Sequence, residues 1–266
     1  VARGLVKSRP LAAALIDRGL VLVSGTIADK SARLVAPAEP IELLGAPARY
    51  VGRGGEKLAA ALTRFGIDPT GTRALDAGAS TGGFTDCLLQ AGAASVVAVD
   101  VGRGQLHHRL RLDSRVVNHE RLDIREVTLA TVGGVPVDLV TADLSFISLS
   151  QAVPVLVGDI AVPGAPALLL VKPQFEAGRV EASRAKGVIR DPVIHRRTLG
   201  EAAGALCASG AVIMGAMPSP ITGQAGNIEF ILHARTPCGP SAPTAPDLDA
   251  MLDAAVAEAH HRNPKG

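Results

Sequence analysis

Aromatic residues are almost missing: among 266 residues there is no tryptophan, one tyrosine and five phenylalanines. An interior built without them must be filled by Ala, Val, Leu and Ile, which make up most of the 47% apolar fraction. That favours buried parallel strands covered by Ala-rich helices and excludes disorder of the bulk of the chain. Cysteine is equally scarce. Cys87, Cys207 and Cys238 are far apart and show no C-x-x-C spacing, so neither a disulfide framework nor a zinc site is indicated, and a reducing compartment fits. No run of eighteen uncharged apolar residues occurs, and Arg3, Lys7 and Arg9 are not followed by a signal-type apolar core. The expectation is a soluble, cytoplasmic, monomeric protein with no membrane partner and no metal.

What is present is an uneven charge. The net charge is only +2, yet residues 1–60 hold nine Lys and Arg against five Asp and Glu, and the remainder is slightly acidic. A basic N-terminal lobe attracts a polyanion at that end, although a solvated basic face is an equal reading of charge alone.

The length allows one larger α/β domain and a small appendage. In the first segment, Leu11, Leu15 and Ile16 stand at helical spacing, Gly19 marks a stop, and two short apolar strands meet at Ser24 and Gly25. This compact αβ module over 1–44 is followed by a glycine- and proline-marked linker over 45–53. From residue 54 to 236 apolar strands alternate with amphipathic helices, which predicts a doubly wound, Rossmann-like, mostly parallel sheet with helices on both faces. Its last two strands are close in sequence, so the final one is expected to enter antiparallel, as a hairpin. Residues 237–266 read as a Pro-rich tether and a C-terminal helix packed through Leu248, Met251, Leu252 and Val256.

LDAGASTGGFTD, residues 75–86, lies between a predicted strand and a helix. Gly78, Gly82 and Gly83 allow a tight turn and a close approach to a ligand at the carboxyl end of the first strand of the sheet, where open α/β sheets bind ligands. The run is not the dinucleotide G-x-G-x-x-G and lacks the lysine of a phosphate-binding loop, so a phosphate cradle is the weaker option. Asp100 ends the next strand twenty-two residues after Gly78, suited to both ribose hydroxyls of an adenosine moiety. Asp123 follows the third strand and can face the adenine edge. The pattern points to a nucleoside-bearing thioether-type cofactor. Its candidate contacts are Asp76, Ser80, Thr81 and Phe84 beside the three glycines, Val101 beside Asp100, Ile124 beside Asp123, and Asp143. The alternative is a tight turn followed by ordinary solvated aspartates.

Four ionisable residues suggest the chemistry: Lys57 before the sheet, Asp143 after the fourth strand, Lys172 after the fifth and Glu229 in the last. With strands four and five beside the first, Asp143 and Lys172 emerge at the cofactor loop. Taken alone, Lys57 and Glu229 read as solvent-facing termini; the other two directly follow strongly apolar runs. Methyl transfer to a hydroxyl requires alignment, which can supply roughly 7 to 11 kcal/mol, and removal of the hydroxyl proton. Lys172 is the expected base, made partly neutral by burial and by the Lys57 charge, while Asp143 and Glu229 orient the ammonium groups and the ribose.

These residues, with LDAGASTGGFTD, ADLSFISL, LVKPQFE and SPITGQAGNIEF, resemble the FtsJ-type 2'-O-methyltransferases. The module GLVKSRPLAAALIDRGLVLVSG resembles the RNA-binding domain first described in ribosomal protein S-four. The pairing is similar to the TlyA family, some of whose members carry the name hemolysin, and the likeness runs from residue 1 to about 236. The resemblance implies S-adenosylmethionine as cofactor and cytidine 2'-O-methylation of ribosomal RNA within the small or large ribosomal subunit. It also implies RNA contacts by Lys7, Arg9, Lys30, Arg53 and Arg179, with Phe146 against the target nucleotide. The family's module normally opens with a longer helix, so here either the start is misassigned or the first helix is trimmed, and Tyr50 stands where relatives often carry tryptophan. Two other classes compete: a membrane-active cytolysin, which no amphipathic basic helix supports, and an RNA-binding assembly factor with an inactive methyltransferase fold.

Overall fold

The computed structural model describes residues 1–6, 8–44, 49–239, 243–244 and 247–262. Lys7, the linker residues 45–48 and much of the Pro-rich tether lie outside the described residues. The chain divides into two compact units, Val1–Arg49 and Tyr50–Gly266.

In the first unit, helix α1 (Arg9–Asp17) begins where the Ser8 hydroxyl accepts the Leu11 N–H, and it stops before Gly19 at φ +67°. Strands β1 (Val21–Val23) and β2 (Thr26–Ile27) form an antiparallel hairpin. Ser24 and Gly25 turn it with φ of +52° and +75°, the two left-handed residues that match strand twist. A third strand, β3 (Ile41–Leu43), pairs with the free edge of β1. The sequence reading missed it because three residues carry no measurable alternation. Val21, Val23 and Ala28 make the small core against Leu15, Ile16 and Ile41.

The second unit opens with α2 (Gly54–Phe65), then β4 (Arg73–Ala77), α3 (Gly83–Gln90), β5 (Ser95–Asp100), the short α4 (His108–Arg111) and β6 (Val116–Glu120). After a single 3-10 turn at Ile124–Glu126 come β7 (Leu139–Ala142), α5 (Leu149–Leu156), β8 (Pro166–Val171), and the short helices α6 (Pro173–Glu176) and α7 (Arg179–Arg184). Helix α8 (Pro192–Ala208), the strands β9 (Val212–Pro218) and β10 (Phe230–Arg235), and α9 (Leu248–Arg262) are the last elements among the described residues. Seven strands lie in the order β6-β5-β4-β7-β8-β10-β9, and β10 runs antiparallel to both of its neighbours. It is therefore inserted between β8 and β9, so that the antiparallel hairpin closes one end of the sheet. One expectation needs correction: β8 pairs with β7 and not with β4, so of the fourth and fifth strands only the fourth neighbours the first.

Side chains alternate across the sheet. Leu75, Val97, Val140 and Leu169 pack under α5, α8 and α9, whereas Ala74, Val96, Leu139 and Leu168 pack under α2 and α3. Each fully buried Leu or Val contributes roughly 1.5 to 3 kcal/mol. Leu252 and Val256 fasten α9 to this core as expected, and the half-buried Leu248 and Met251 pack against its edge. Tyr50 and Val51, expected in the linker, are packed as well. Tyr50 is buried, and the Val51 N–H donates to Asp86 Oδ2 at 2.9 Å. Gly55 leaves room for the Tyr50 ring, since a Cβ there would stand 2.2 Å from its Cγ.

Candidate active site

Strand order reverses between β4 and β7, and a cleft opens there at their carboxyl ends. The glycine loop after β4 forms its floor. The Gly78 and Ala79 N–H groups donate to the Val99 carbonyl at 2.8 and 3.1 Å, tying the loop to β5, while the Asp143 N–H donates to the Ala77 carbonyl at 2.9 Å. Gly78 sits at φ +82°, and a Cβ on it would lie 2.6 Å from the Asp143 carbonyl oxygen, so no other residue fits. Ser80 also adopts a positive φ, +47°, and turns its N–H onto Asp100 Oδ2 at 2.8 Å.

A cavity of about 400 Å³ follows, lined by Gly78, Ser80, Asp100, Val101, Asp123 and Ile124 on one side and by residues 143–147 on the other. Asp100, which lines the cavity, is held from both sides, its Oδ1 accepting the Gly102 N–H at 2.6 Å. Asp123 is less available than the sequence suggested. The Arg125 guanidinium grips both of its oxygens, at 3.0 and 2.7 Å, and the hydrogen bonds of Arg125 hold its carboxyl down at about 2.

A smaller adjoining cavity of about 180 Å³ shares Gly78, Ser80, Asp143 and Ser145 with the first and adds Thr81, Gly83, Phe84 and Lys172. The Lys172 ammonium faces this space while almost wholly buried. It lies 2.6 Å from Asp143 Oδ1 as an ion pair, and its aligned hydrogen bond goes to Ser145 Oγ at 2.8 Å. Although β8 is one strand farther from β4 than anticipated, the four-carbon stem of Lys172 spans the difference.

Lys57 and Glu229 form a second buried pair at 2.5 Å, and Gln174 Nε2 donates weakly to Glu229 Oε1 at 3.4 Å. The four ionisable residues are thus two matched ion pairs. Lys57 is not the free positive charge beside Lys172 that the sequence reading invoked, because Glu229 neutralises it. Glu229 precedes β10 by one residue instead of lying within it.

Two expected cofactor contacts turn out to support the loop from below. Asp76 is fully buried on the α3 side of the sheet, and its Oδ2 accepts the Thr85 N–H at 2.8 Å and the Thr85 hydroxyl at 2.6 Å. Burial raises its carboxyl to about 7, and its Oδ1 has no partner among the described residues. Gly82, at φ +95°, starts α3 against Leu106 and Leu110. Neither lines either of these two cavities.

The expected RNA contacts are dispersed. Arg9 and Lys30 are exposed on the first unit, and Lys7 and the Arg179 side chain lie outside what is described. Arg53 is exposed, yet donates to the Thr222 carbonyl at 2.8 Å. Phe146 is 92% exposed at φ +67°, a sterically costly conformation for a bulky residue, and it lines the larger cavity. Sequence reasoning passed over Ser145, Phe175 and Glu176, whose roles arise from neighbours that the chain brings together only on folding. Among the described residues no group of three or more His, Cys, Asp or Glu could hold a metal ion, and no helix is long and apolar enough to cross a membrane.

Known proteins place this geometry. Residues 50–236 match the family described as FtsJ-like methyltransferase. The 16S/23S rRNA (cytidine-2'-O)-methyltransferase TlyA of Mycobacterium tuberculosis is 46% identical over 237 residues, covering 89% of this chain and 87% of the relative. Hemolysin A of Brachyspira hyodysenteriae is 36% identical over 230 residues, covering 86% of this chain and 95% of the relative. A solved structure from Streptococcus thermophilus, provisionally named a hemolysin, superposes with a TM-score of 0.79 at 36% identity and covers 99% of this chain and 94% of that one. A glycine loop over a reversed strand order, the buried Lys172–Asp143 ion pair beside it and a family match across most of the chain lead to one assignment: the chain belongs to the FtsJ-like methyltransferase family, within its TlyA group.

Proposed function

We propose that this protein transfers a methyl group from S-adenosylmethionine to the 2'-hydroxyl of a cytidine ribose in ribosomal RNA, within a ribosomal subunit. The observation that carries this reading is the Lys172 ammonium, hydrogen-bonded to Ser145 and ion-paired with Asp143 in a cavity continuous with the glycine-loop cleft.

The cleft suits the cofactor. Its volume of about 400 Å³ accommodates a nucleoside, Asp100 offers carboxylate lone pairs where ribose hydroxyls need acceptors, and Gly78 leaves room for a close approach to the loop. Val101 and Ile124 supply apolar surface for a base. When bound, S-adenosylmethionine supplies a methyl group on a positively charged sulfur, which the acceptor oxygen displaces to leave a neutral thioether. Asp143 belongs to both cavities and so stands where donor and acceptor meet.

Lys172 Nζ receives the hydroxyl proton in this scheme, and for that it must be uncharged as the acceptor arrives. Asp143 then stabilises the ammonium that forms, and Ser145 Oγ fixes its direction. In the same scheme the buried Lys57–Glu229 pair orients the acceptor ribose. Phe146 offers a stacking face to the target base, and the exposed cations Arg9 and Lys30 make the first unit an RNA-binding domain that neutralises phosphate.

Mass-spectrometric mapping of ribose methylation in ribosomal RNA, with and without the gene, tests the substrate. The expected result is loss of a 2'-O-methylcytidine, and an unchanged map would remove the reading. For the base, a folded Lys172→Ala variant that binds S-adenosylmethionine should lose at least about a hundredfold in turnover. Near-normal turnover would assign the proton to another group.

A further inference from the structure

The loop after β7 and the loop after β8 are locked together by more than the Lys172 contacts. The rings of Phe146 and Phe175 meet with centroids 5.2 Å apart, tilted by 52°. One residue on, Glu176 turns back towards α5: its Oε1 accepts the Leu149 N–H at 2.8 Å, and its Oε2 accepts the Ser148 hydroxyl at 2.6 Å. Ser148 occupies the N-cap position of α5 but makes no side-chain cap of its own. Glu176 supplies the missing acceptor from another element, where a carboxylate also meets the positive end of the helix. Burial raises the Glu176 carboxyl above its ordinary range, so the group sits there against its own solvation.

The geometry has a consequence for Phe146. A bulky residue with φ of +67° and 92% exposure keeps such a backbone only where flanking structure over-determines it. Behind it, two and three residues later, are the two hydrogen bonds to Glu176; ahead of it, Ser145 is held by Lys172.

We propose that Glu176 is a positioning residue for the acceptor nucleotide: by capping α5 it fixes residues 143–149, so that the Phe146 ring stands preset as a stacking face at the cleft. The inference rests on the 2'-O-methylation reading given above. Presetting removes an ordering cost that RNA would otherwise meet on binding.

Full-length protein with purified ribosomal subunits provides the test. Acceptor KM and kcat are measured at saturating S-adenosylmethionine, and cofactor Kd by calorimetry, for Glu176→Ala, Glu176→Gln, Phe146→Ala and the Phe146→Ala/Glu176→Ala double variant. Glu176→Ala is expected to raise acceptor KM about tenfold while cofactor Kd stays within about twofold. Glu176→Gln, whose amide oxygen still accepts the Leu149 N–H, restores most of the loss. The double variant is no worse than Phe146→Ala alone, because the two act through one ring. Fully additive losses, or cofactor affinity falling in step with acceptor KM, overturn the positioning role. A Phe146→Ala protein with unchanged acceptor KM instead strikes at the acceptor-site reading itself, which separates the two failures.

Discussion

Lys57 Nζ and Glu229 Oε2 lie 2.5 Å apart although 172 positions separate them in the chain, and their side chains are only 9% and 3% exposed. Such a pair is weak evidence for net stability, since desolvation of both charges offsets their attraction. Removing one partner is different, because the other stays buried and uncompensated. Glu229→Ala is therefore expected to destabilise the protein by about 3 to 5 kcal/mol, and a Lys57→Met/Glu229→Leu double variant to recover most of it. Urea denaturation reads both. A double variant as unstable as Glu229→Ala would mean that Glu229 acts through something other than Lys57.

Gly78 gives a sharper prediction, because its constraint comes from backbone. A methyl group at that position meets the Asp143 carbonyl oxygen at 2.6 Å and must also be carried at φ +82°. The conformational cost alone is roughly 1 to 2 kcal/mol, and relief of the contact would part the floor of the cleft from the β7 loop. Gly78→Ala should therefore weaken S-adenosylmethionine binding at least about tenfold, measured by calorimetry, with a smaller loss of thermal stability. Unchanged affinity would show that the cofactor does not approach this loop closely.

Much of this is legible in the amino-acid sequence, and what is not has a physical explanation. Runs such as ALLLV and SVVAV announce buried parallel strands because both faces are covered and no polar alternation survives. Asp143 and Lys172 stood out because each ends such a run. Pairing of charges is a property of tertiary approach, so the sequence allowed Lys57 to be placed beside Lys172 when in fact Glu229 claims it. Asp76 and Gly82 share the motif with true wall residues, and only the pleat of β4 for the first and the start of α3 for the second turn them beneath the loop. Glu176, four residues after Lys172, resembles any helical surface glutamate until α5 arrives with an uncapped end.

Asp76 makes stability depend on pH. Its carboxyl is raised by burial to about 7 in the folded protein, from an ordinary value of 3.8. The folded state thus holds a proton that the unfolded chain releases, and the contribution is fully present below 3.8 and lost as pH rises through 7. His233, lowered to about 4 by burial, works in the opposite direction, so the comparison must be between wild type and variant. Asp76→Asn keeps an acceptor for the Thr85 N–H and cannot ionise. Its stability relative to wild type, from urea melts, should rise steadily between about pH 4 and pH 7 and level off above that. A difference independent of pH would mean that Asp76 is not protonated in the folded protein.

The first unit can be tested through salt. Arg9 and Lys30 are exposed and make no ion pair among the described residues, so each is free to meet a phosphate. A phosphate contact releases counterions, and the logarithm of the binding constant then falls linearly with the logarithm of salt concentration. Removing one such contact lowers that slope by about 1 and weakens binding without regard to sequence. Arg9→Ala and Lys30→Ala should each behave this way in titrations of ribosomal RNA fragments between low and physiological salt, leaving cofactor affinity untouched. If affinity drops while the slope stays constant, the side chain supports the fold of the unit and does not touch RNA. If neither moves, the basic residues of this lobe are a solvated face, and recognition of the subunit belongs to the methyltransferase unit.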